Sequence, residues 1–166
     1  MAGMTKLRKH QFIPFVDVSK TVGTSSWEPE WKRITYSTIF DLAANPETTS
    51  EDYIAYEVPV EEISKYAPEL PQEVALYEGD PTYDFMFDLF FNLPVGSETR
   101  LPVLMCFGGS GKKAWQVKET VVVLGSLNTV DGKLSFTLKL GGTIQRGTYD
   151  IAEGVPTFTE SAAAAE

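Results

Sequence analysis

A glycine-rich run that ends in two lysines is the stretch whose residue types and spacing most resemble a chemical motif. The run Gly108-Gly109-Ser110-Gly111-Lys112-Lys113 invites comparison with a phosphate-binding loop. Such a loop needs a glycine five positions before Gly111 and a serine or threonine after its lysine, because that hydroxyl binds magnesium. Cys106 and Lys113 occupy those two positions. The run is therefore predicted to be a surface turn.

The other reactive side chains do not form a catalytic or metal-binding pattern. His10 and Cys106 are the single histidine and the single cysteine, whereas a zinc site needs several such ligands. His10 lies in a basic N-terminal segment that is poorly placed to serve a catalytic triad. Carboxylate pairs such as Asp84 and Asp88 are more typical of a solvated acidic surface than of acid–base catalysis. We predict a non-enzymatic protein with no cofactor and no metal.

The composition predicts a single soluble domain. The chain has 166 residues, of which 43% are hydrophobic, and this is enough to bury a core. One cysteine cannot form an internal disulfide, so folding does not require an oxidising compartment. No stretch reaches the roughly 18 apolar residues of a membrane span, and the basic N-terminus lacks the apolar region of a signal peptide. We expect no membrane partner and assembly in a cytoplasm.

Opposite charges are segregated along the chain. Residues 41–88 contain thirteen acidic side chains and only Lys65 as a base, whereas residues 100–146 contain seven basic side chains against Glu119 and Asp131. The net charge of −9 is unlike that of a DNA-binding domain, in which lysine and arginine neutralise phosphates. Segregation of this kind can make two different faces of a subunit complementary. Alternatively, both segments are simply solvated surface.

Three regions are expected along the chain: an N-terminal arm (1–30), a β-rich domain (31–159) and a flexible C-terminal tail (160–166). The arm shows no sustained periodicity, and a short strand is expected only around residues 13–18. Within the domain, residues 37–52 are predicted to form a long loop, since Asn45-Pro46 signals a turn and the following residues are polar. Residues 53–58 are predicted to form a short strand, and residues 61–65 are predicted to form a helical turn.

Asp80-Pro81 predicts the start of a helix, because aspartate caps free N–H groups and proline fits the first turn. The same stretch, residues 81–93, also alternates as a strand would, but the capping signal favours the helix. On that helix, Asp84 and Asp88 would share one face, and the opposite face would carry Tyr83, Met86, Phe87 and Phe90.

From Leu101 onward the pattern is strongly β. In the clearest strand, Leu134, Phe136 and Leu138 face one way, and the turn signal Asp131-Gly132 precedes it. Further strands are expected within 115–124, over 143–151 and over 155–159. Short antiparallel strands with one flanking helix predict a β-sandwich or barrel with a long loop and extended terminal arms.

Three features together resemble the major tail proteins, or tail tube proteins, of long-tailed phages. They are the run 31–34 followed by the polar loop 37–52, the run 79–84 leading into an aromatic segment that ends at Gly96, and the closing pattern of turns from Asp131 to Phe158. This resemblance implies a virion protein whose hexameric rings stack into a tail tube, through which the genome passes during ejection. Its implied partners are further copies of itself, the tape-measure protein, the tail terminator and distal tail proteins, with DNA in transient, non-specific passage. A flexible, non-contractile tail is the expected type.

Carried over by position, residues 37–52 are the expected inter-ring stacking loop, and residues 1–23 and 156–166 are the expected arms. The loop residues expected to make the contact are Asp41, Asn45, Pro46, Glu47, Glu51 and Asp52. The residues expected to form charge pairs between subunits are Asp84, Asp88, Arg100, Lys112, Lys113 and Arg146.

Two alternatives stay open at the level of sequence. The first is another ring-forming virion protein, such as a tail terminator or connector, which closes one ring and never elongates. The second is a monomeric β-barrel that binds a small ligand or glycan.

Overall fold

The computed structural model describes residues 3–20, 25 and 27–161. Within this part of the chain, eleven strands form three antiparallel sheets. The first has six strands in the order β11-β10-β7-β6-β1-β2, the second has three in the order β5-β9-β8, and β3 pairs with β4 alone. The strands are β1 (Ile13–Asp17), β2 (Trp31–Arg33), β3 (Pro46–Glu51), β4 (Val60–Tyr66), β5 (Glu69–Ala75), β6 (Val103–Cys106), β7 (Lys113–Val117), β8 (Val121–Asn128), β9 (Lys133–Lys139), β10 (Ile144–Ala152) and β11 (Val155–Glu160).

The strands curl into a half-barrel, which confirms the predicted mainly-β fold with one flanking helix. An isolated bridge joins Arg100, which precedes β6 in the chain, to Val121 at the start of β8. The core lies between the six-stranded and three-stranded sheets, and it buries alternate residues of β9 as the sequence predicted. Its main cluster includes Val16, Leu70, Val74, Met86, Val103, Leu134, Phe136 and Leu138.

A second apolar cluster covers the other face of the six-stranded sheet. Phe15, Leu104, Cys106 and Ala114 form it, and Tyr149 and Phe158 from β10 and β11 pack against them, among others. Strands β1 and β6 are therefore buried on both faces, and β1 lies between β6 and β2 in the sheet. The strand expected around residues 13–18 is confirmed as β1, and the N-terminal arm over residues 1–30 stays a prediction. Pro14, Phe15 and Val16 are consecutive apolar residues, and a strand inside the sheet buries such a run on both of its faces.

Helix α1 (Pro81–Asn92) forms where the capping signal predicted it, and the strand alternative is wrong. The Asp80 side chain accepts a hydrogen bond from the Thr82 N–H, and Pro81 occupies the first turn. Thr82, Met86 and Leu89 face the core at helical spacing, because their side chains are the buried ones. Phe87 was expected on that face, but it is 39% exposed.

The predicted loop over residues 37–52 is only partly correct, because its second half is strand β3. Strand β3 pairs with β4, which replaces the helical turn expected over residues 61–65. The connection between them includes residues 53–58, which had been predicted as strand. The sequence signal failed here because every residue of both strands is exposed, so no alternation of polar and apolar residues marks them.

The tail predicted over residues 160–166 falls mostly outside the described residues. Glu160 ends β11, and the Ser161 N–H donates to the Arg146 carbonyl oxygen at 2.9 Å. The predicted arm over residues 1–23 also extends beyond the described part of the chain at both of its ends. Among the described residues, no helix has the length and apolar content needed to cross a membrane.

Candidate assembly surface

The hairpin formed by β3 and β4 is the most exposed element of the described structure. Its two strands pair only with each other, and all thirteen of their residues are exposed. The connecting turn (52–59), called the hairpin tip below, carries Tyr53, Ile54, Tyr56 and Val58, with exposed fractions of 53%, 107%, 60% and 70%. A two-stranded hairpin is marginally stable alone, and contiguous exposed apolar side chains usually mark an interaction site.

The base of the hairpin is fixed to the body. The Ala67 N–H donates to the carbonyl oxygens of Ala44 and Asn45, and the Asn45 side-chain amide donates to the Ala67 carbonyl oxygen at 3.1 Å. Asn45 adopts a left-handed backbone conformation with φ of 47°, which asparagine tolerates better than most residues. Glu47 and Lys65 form an ion pair of 3.3 Å across the strands. The hairpin is thus held at its base and unpartnered along its length.

A second exposed apolar surface runs along helix α1. The rings of Tyr83, Phe87 and Phe91 follow one another along the helix, with centroid separations of 6.0 and 6.4 Å. Tyr83 is half-buried against the core, whereas Phe87 and Phe91 are exposed, as are Leu93 and Val95 just beyond the helix. The exposed part of the helix is therefore partly apolar, which favours contact with another protein surface.

Two ion pairs join the acidic and the basic segments within the fold. Acidic β5 lies beside β9, so Glu69 pairs with Lys139 at 3.5 Å and Glu73 with Lys133 at 3.7 Å. Most remaining acids of residues 41–88 lie on the hairpin or the helix. The hairpin acids are thus the largest group of residues 41–88 that lies apart from the basic segment.

The charged residues predicted for subunit contacts have the following places. Asp88 pairs with Lys20, Arg100 with Glu119 and Lys112 with Asp150, at 3.2, 3.4 and 3.5 Å. These pairs are solvent-exposed and contribute little to stability. Asp84 accepts from the Gly79 N–H, and Lys113 and Arg146 form no ion pair within the described residues. Their role between subunits stays a prediction.

The predicted loop residues are divided between two structural settings. Asn45 and Pro46 lie at the hairpin base, Glu47 and Glu51 lie on β3, and Asp52 begins the tip. Asp41 lies outside the hairpin, in the segment that runs alongside β5. The tip tyrosines, which are the larger exposed feature, were missed. Their run between Glu51-Asp52 and Glu57 could have indicated an apolar patch on an acidic loop.

The glycine-rich run forms the surface turn that its spacing predicted. It connects β6 to β7, and the Phe107 N–H donates to the Lys113 carbonyl oxygen at 2.9 Å. Gly109 has φ of 117°, a conformation that only glycine adopts without strain. The Lys112 ammonium forms an ion pair with Asp150 at 3.5 Å. The turn therefore closes a hairpin.

Titratable groups in the described core do not form a catalytic cluster. Cys106 is fully buried, and this burial raises the pKa of its thiol to about 12. Burial, and secondarily the nearby Cys106, raises the pKa of Tyr149. Burial also raises the pKa of the capping Asp80. Within residues 3–20, 25 and 27–161, no group of three histidine, cysteine or carboxylate side chains is placed to hold a metal ion.

Comparison with solved structures places this fold among components of tail-like particles. A tube-terminating cap of the anti-feeding prophage aligns with a TM-score of 0.54 and 12% identity, over 89% of this chain and 95% of that one. The sheath/tube terminator of an extracellular contractile injection system, PVC, gives a TM-score of 0.54 and 9% identity, over 89% and 100% of the two chains. A chain from the virion of a native gene transfer agent gives 0.52 and 11%, over 85% and 98%.

These likenesses establish the fold, since the identities are too low to carry a function by themselves. The three alignments cover 85–89% of this chain and at least 95% of the other chains, so the similarity extends over most of the fold. No protein-family model and no curated protein sequence matches the chain.

Proposed function

We propose that this protein is a non-enzymatic structural component of a phage-like tail, and that it forms a closed ring which terminates the tail tube. The exposed hairpin carries the proposal, because a subunit with so much unpaired apolar surface on one projecting element needs a partner surface. The alignment of the whole fold with two tube terminators supports the choice of terminator over tube subunit.

A projecting element and a different receiving surface make a head-to-tail contact. Such contacts close into a ring when the rotation between neighbours divides a full turn. A six-fold ring is proposed here, in line with the resemblance to tail proteins noted from the sequence. In this role the ring would contact the last tube ring and the passing genome, within the virion tail.

The rival function is the tail tube subunit itself, which is favoured by the three sequence features that resemble major tail proteins. A tube subunit uses both ring faces to stack, whereas a terminator uses one. The tape-measure and distal tail proteins would be partners only in the tube role.

Electron microscopy of the concentrated, purified protein separates these possibilities. Discrete rings, with a native mass of six 18.4 kDa protomers, are expected for the terminator. Long tubes would establish the tube subunit instead. A monodisperse monomer at high concentration would contradict both.

A shortened hairpin provides the matched variant. Glu51 and Val60 are directly opposite each other, so residues 52–59 can be replaced by Asn-Gly, which closes a two-residue hairpin without changing strand register. This variant should keep the thermal stability of the body and lose the rings. As a control, Val130→Ser removes an isolated exposed apolar side chain and should leave ring formation unchanged.

A further inference from the structure

A cleft of about 610 Å³ opens between the N-terminal turn, the ends of β1 and β2, and strand β5. Two rings, Phe12 and Phe40, stand 6.1 Å apart on its wall. The segment 35–40 forms one side, where it leaves the sheet and runs past β5. The cleft is thus a partly aromatic opening in the half-barrel, large enough for one or two side chains.

A buried glutamine on the wall of this cleft lacks a hydrogen-bond partner. Gln72 is 1% exposed, and its side-chain N–H donates to the Pro71 carbonyl oxygen at 2.8 Å. Its Oε1 atom accepts from no donor among the described residues. An unsatisfied buried acceptor is costly, so its persistence calls for an explanation. A hydroxyl group that enters the cleft can supply the missing hydrogen bond once the amide turns towards it.

The cleft is also lined by basic residues. Lys9, His10 and Arg33 line it, and no acidic residue does. None of the three forms an ion pair with any described residue. The neighbouring Glu73 carboxylate accepts from the hydroxyl of the cleft-lining Thr38 at 3.4 Å, but it also pairs with Lys133 at 3.7 Å. On a chain with a net charge of −9, this is a local basic site that suits an acidic partner.

The hairpin tip has the matching chemistry. Tyr53 and Tyr56 present two aromatic rings in edge contact at 6.3 Å, each with an exposed hydroxyl group. Asp52 and Glu57 flank them with carboxylates. The chain's own tip does not occupy its own cleft, since none of the tip residues lines it.

We propose that the cleft receives the hairpin tip of a second copy of this chain. Tyr53 or Tyr56 packs against Phe12 and Phe40 and donates to Gln72, while Asp52 and Glu57 face the basic residues at the rim. The inference deepens the proposed function, on which it rests, by naming the receiving surface of the head-to-tail contact. Tyrosine suits this position because it combines a large apolar surface with one polar atom.

Disulfide trapping between two preparations tests the contact directly. One preparation carries Ala55→Cys at the tip, and the other carries Thr35→Cys, which is exposed at the cleft. The native Cys106 is buried and should not react. Mixing the two under mild oxidation should yield a mixed disulfide dimer, whereas Ala55→Cys mixed with the control Val130→Cys should not. Equal yields from both mixtures, or no cross-link in either, would overturn the inference.

Charge reversal supplies an independent arm. Lys9→Glu with Arg33→Glu should weaken association by roughly tenfold or more, and Asp52→Lys with Glu57→Lys should do the same. Mixing the two reversed variants should restore association. A failure of this rescue would argue against the pairing. A different result would assign the basic rim to phosphates instead. In that case the wild-type protein retains a short DNA duplex, and the Lys9/Arg33 variant loses the duplex but still forms the cross-link.

The two proposals can fail separately. Rings that form without the mixed disulfide would leave the terminator function standing and refute this contact. A mixed disulfide in a protein that forms only irregular oligomers would support the contact and refute the ring.

Discussion

The Trp27 indole N–H donates to the buried Asp17 carboxylate at 2.7 Å, and this hydrogen bond holds Trp27 against the end of β1. The other oxygen of Asp17 accepts from the Ser19 and Glu30 N–H groups at 2.8 and 2.9 Å. Asp17 is 1% exposed, so these donors replace the water that a carboxylate would otherwise bind. The Lys118 ammonium lies 4.8 Å from the centre of the Trp27 ring and adds to the contact.

Trp27→Phe should therefore lower the free energy of unfolding by about 1.5–3 kcal/mol, the usual range for a hydrogen bond to a charged group. Urea denaturation followed by circular dichroism measures the change. The same substitution in an Asp17→Asn background should cost less, because the two residues act together. Equal costs in both backgrounds would show that the hydrogen bond contributes little.

The helix cap makes stability depend on pH. Burial raises the pKa of Asp80 above its ordinary value of 3.8, so the folded state favours the neutral acid. The stability that the neutral Asp80 side chain contributes to the folded state is complete below the unfolded pKa, and it is lost as the pH rises through the higher folded pKa. Asp80→Asn keeps a cap acceptor and removes the titration. Its stability relative to wild type should therefore improve between about pH 3 and pH 7, as measured by thermal unfolding across pH.

Asp80→Ala is the contrasting variant. It removes the acceptor for the Thr82 N–H and should cost roughly 0.5–2 kcal/mol. A constant difference between Asp80→Asn and wild type at all pH values would contradict the raised pKa.

The thiol of Cys106 should be inert in the native protein. Its pKa of about 12 leaves almost no thiolate near neutral pH, and the side chain has no exposed surface. A thiol-reactive chromophore should label the protein only after unfolding in denaturant. Between about pH 9 and pH 12 the free energy of unfolding should fall as the pH rises, because the thiol ionises in the unfolded chain before it does in the folded protein. Cys106→Ala should lack this alkaline component.

Gly147 is required where β10 pairs with both β7 and β11. A Cβ atom at this position would overlap the Thr159 carbonyl oxygen and lie 2.9 Å from the Glu160 Cα. Gly147→Ala should destabilise the fold by roughly 1–3 kcal/mol or more, because backbone atoms must move. Gly111→Ala is the control, since its Cβ would meet only the Lys113 side chain at 3.7 Å. Equal melting temperatures for the two variants would refute the predicted clash.

Local rules predicted the parts of the fold that are encoded by neighbouring residues. Asp80-Pro81 predicted the helix correctly, since a cap depends on a few adjacent residues. The alternation of Leu134, Phe136 and Leu138 predicted β9, because one face of that strand is buried. The spacing within residues 108–113 predicted a turn, because a turn also depends on a few adjacent residues.

The hairpin and the cleft could not be predicted in this way. Strands β3 and β4 expose both faces, so their register depends on backbone pairing that leaves no periodic signal in side chains. Gln72 becomes an unsatisfied acceptor only because β5 turns it towards the core. Two acidic residues of β5 also form ion pairs with lysines of β9, because these two strands are neighbours in the sheet.

The sequence by itself determined a β-rich chain with one capped helix, no catalytic motif and two segments of opposite charge. Only the tertiary structure decided which of those charges stay unpaired and which apolar side chains stay exposed. The physical reason is that pairing and burial depend on which strands become neighbours, and strand order is a non-local property of the chain.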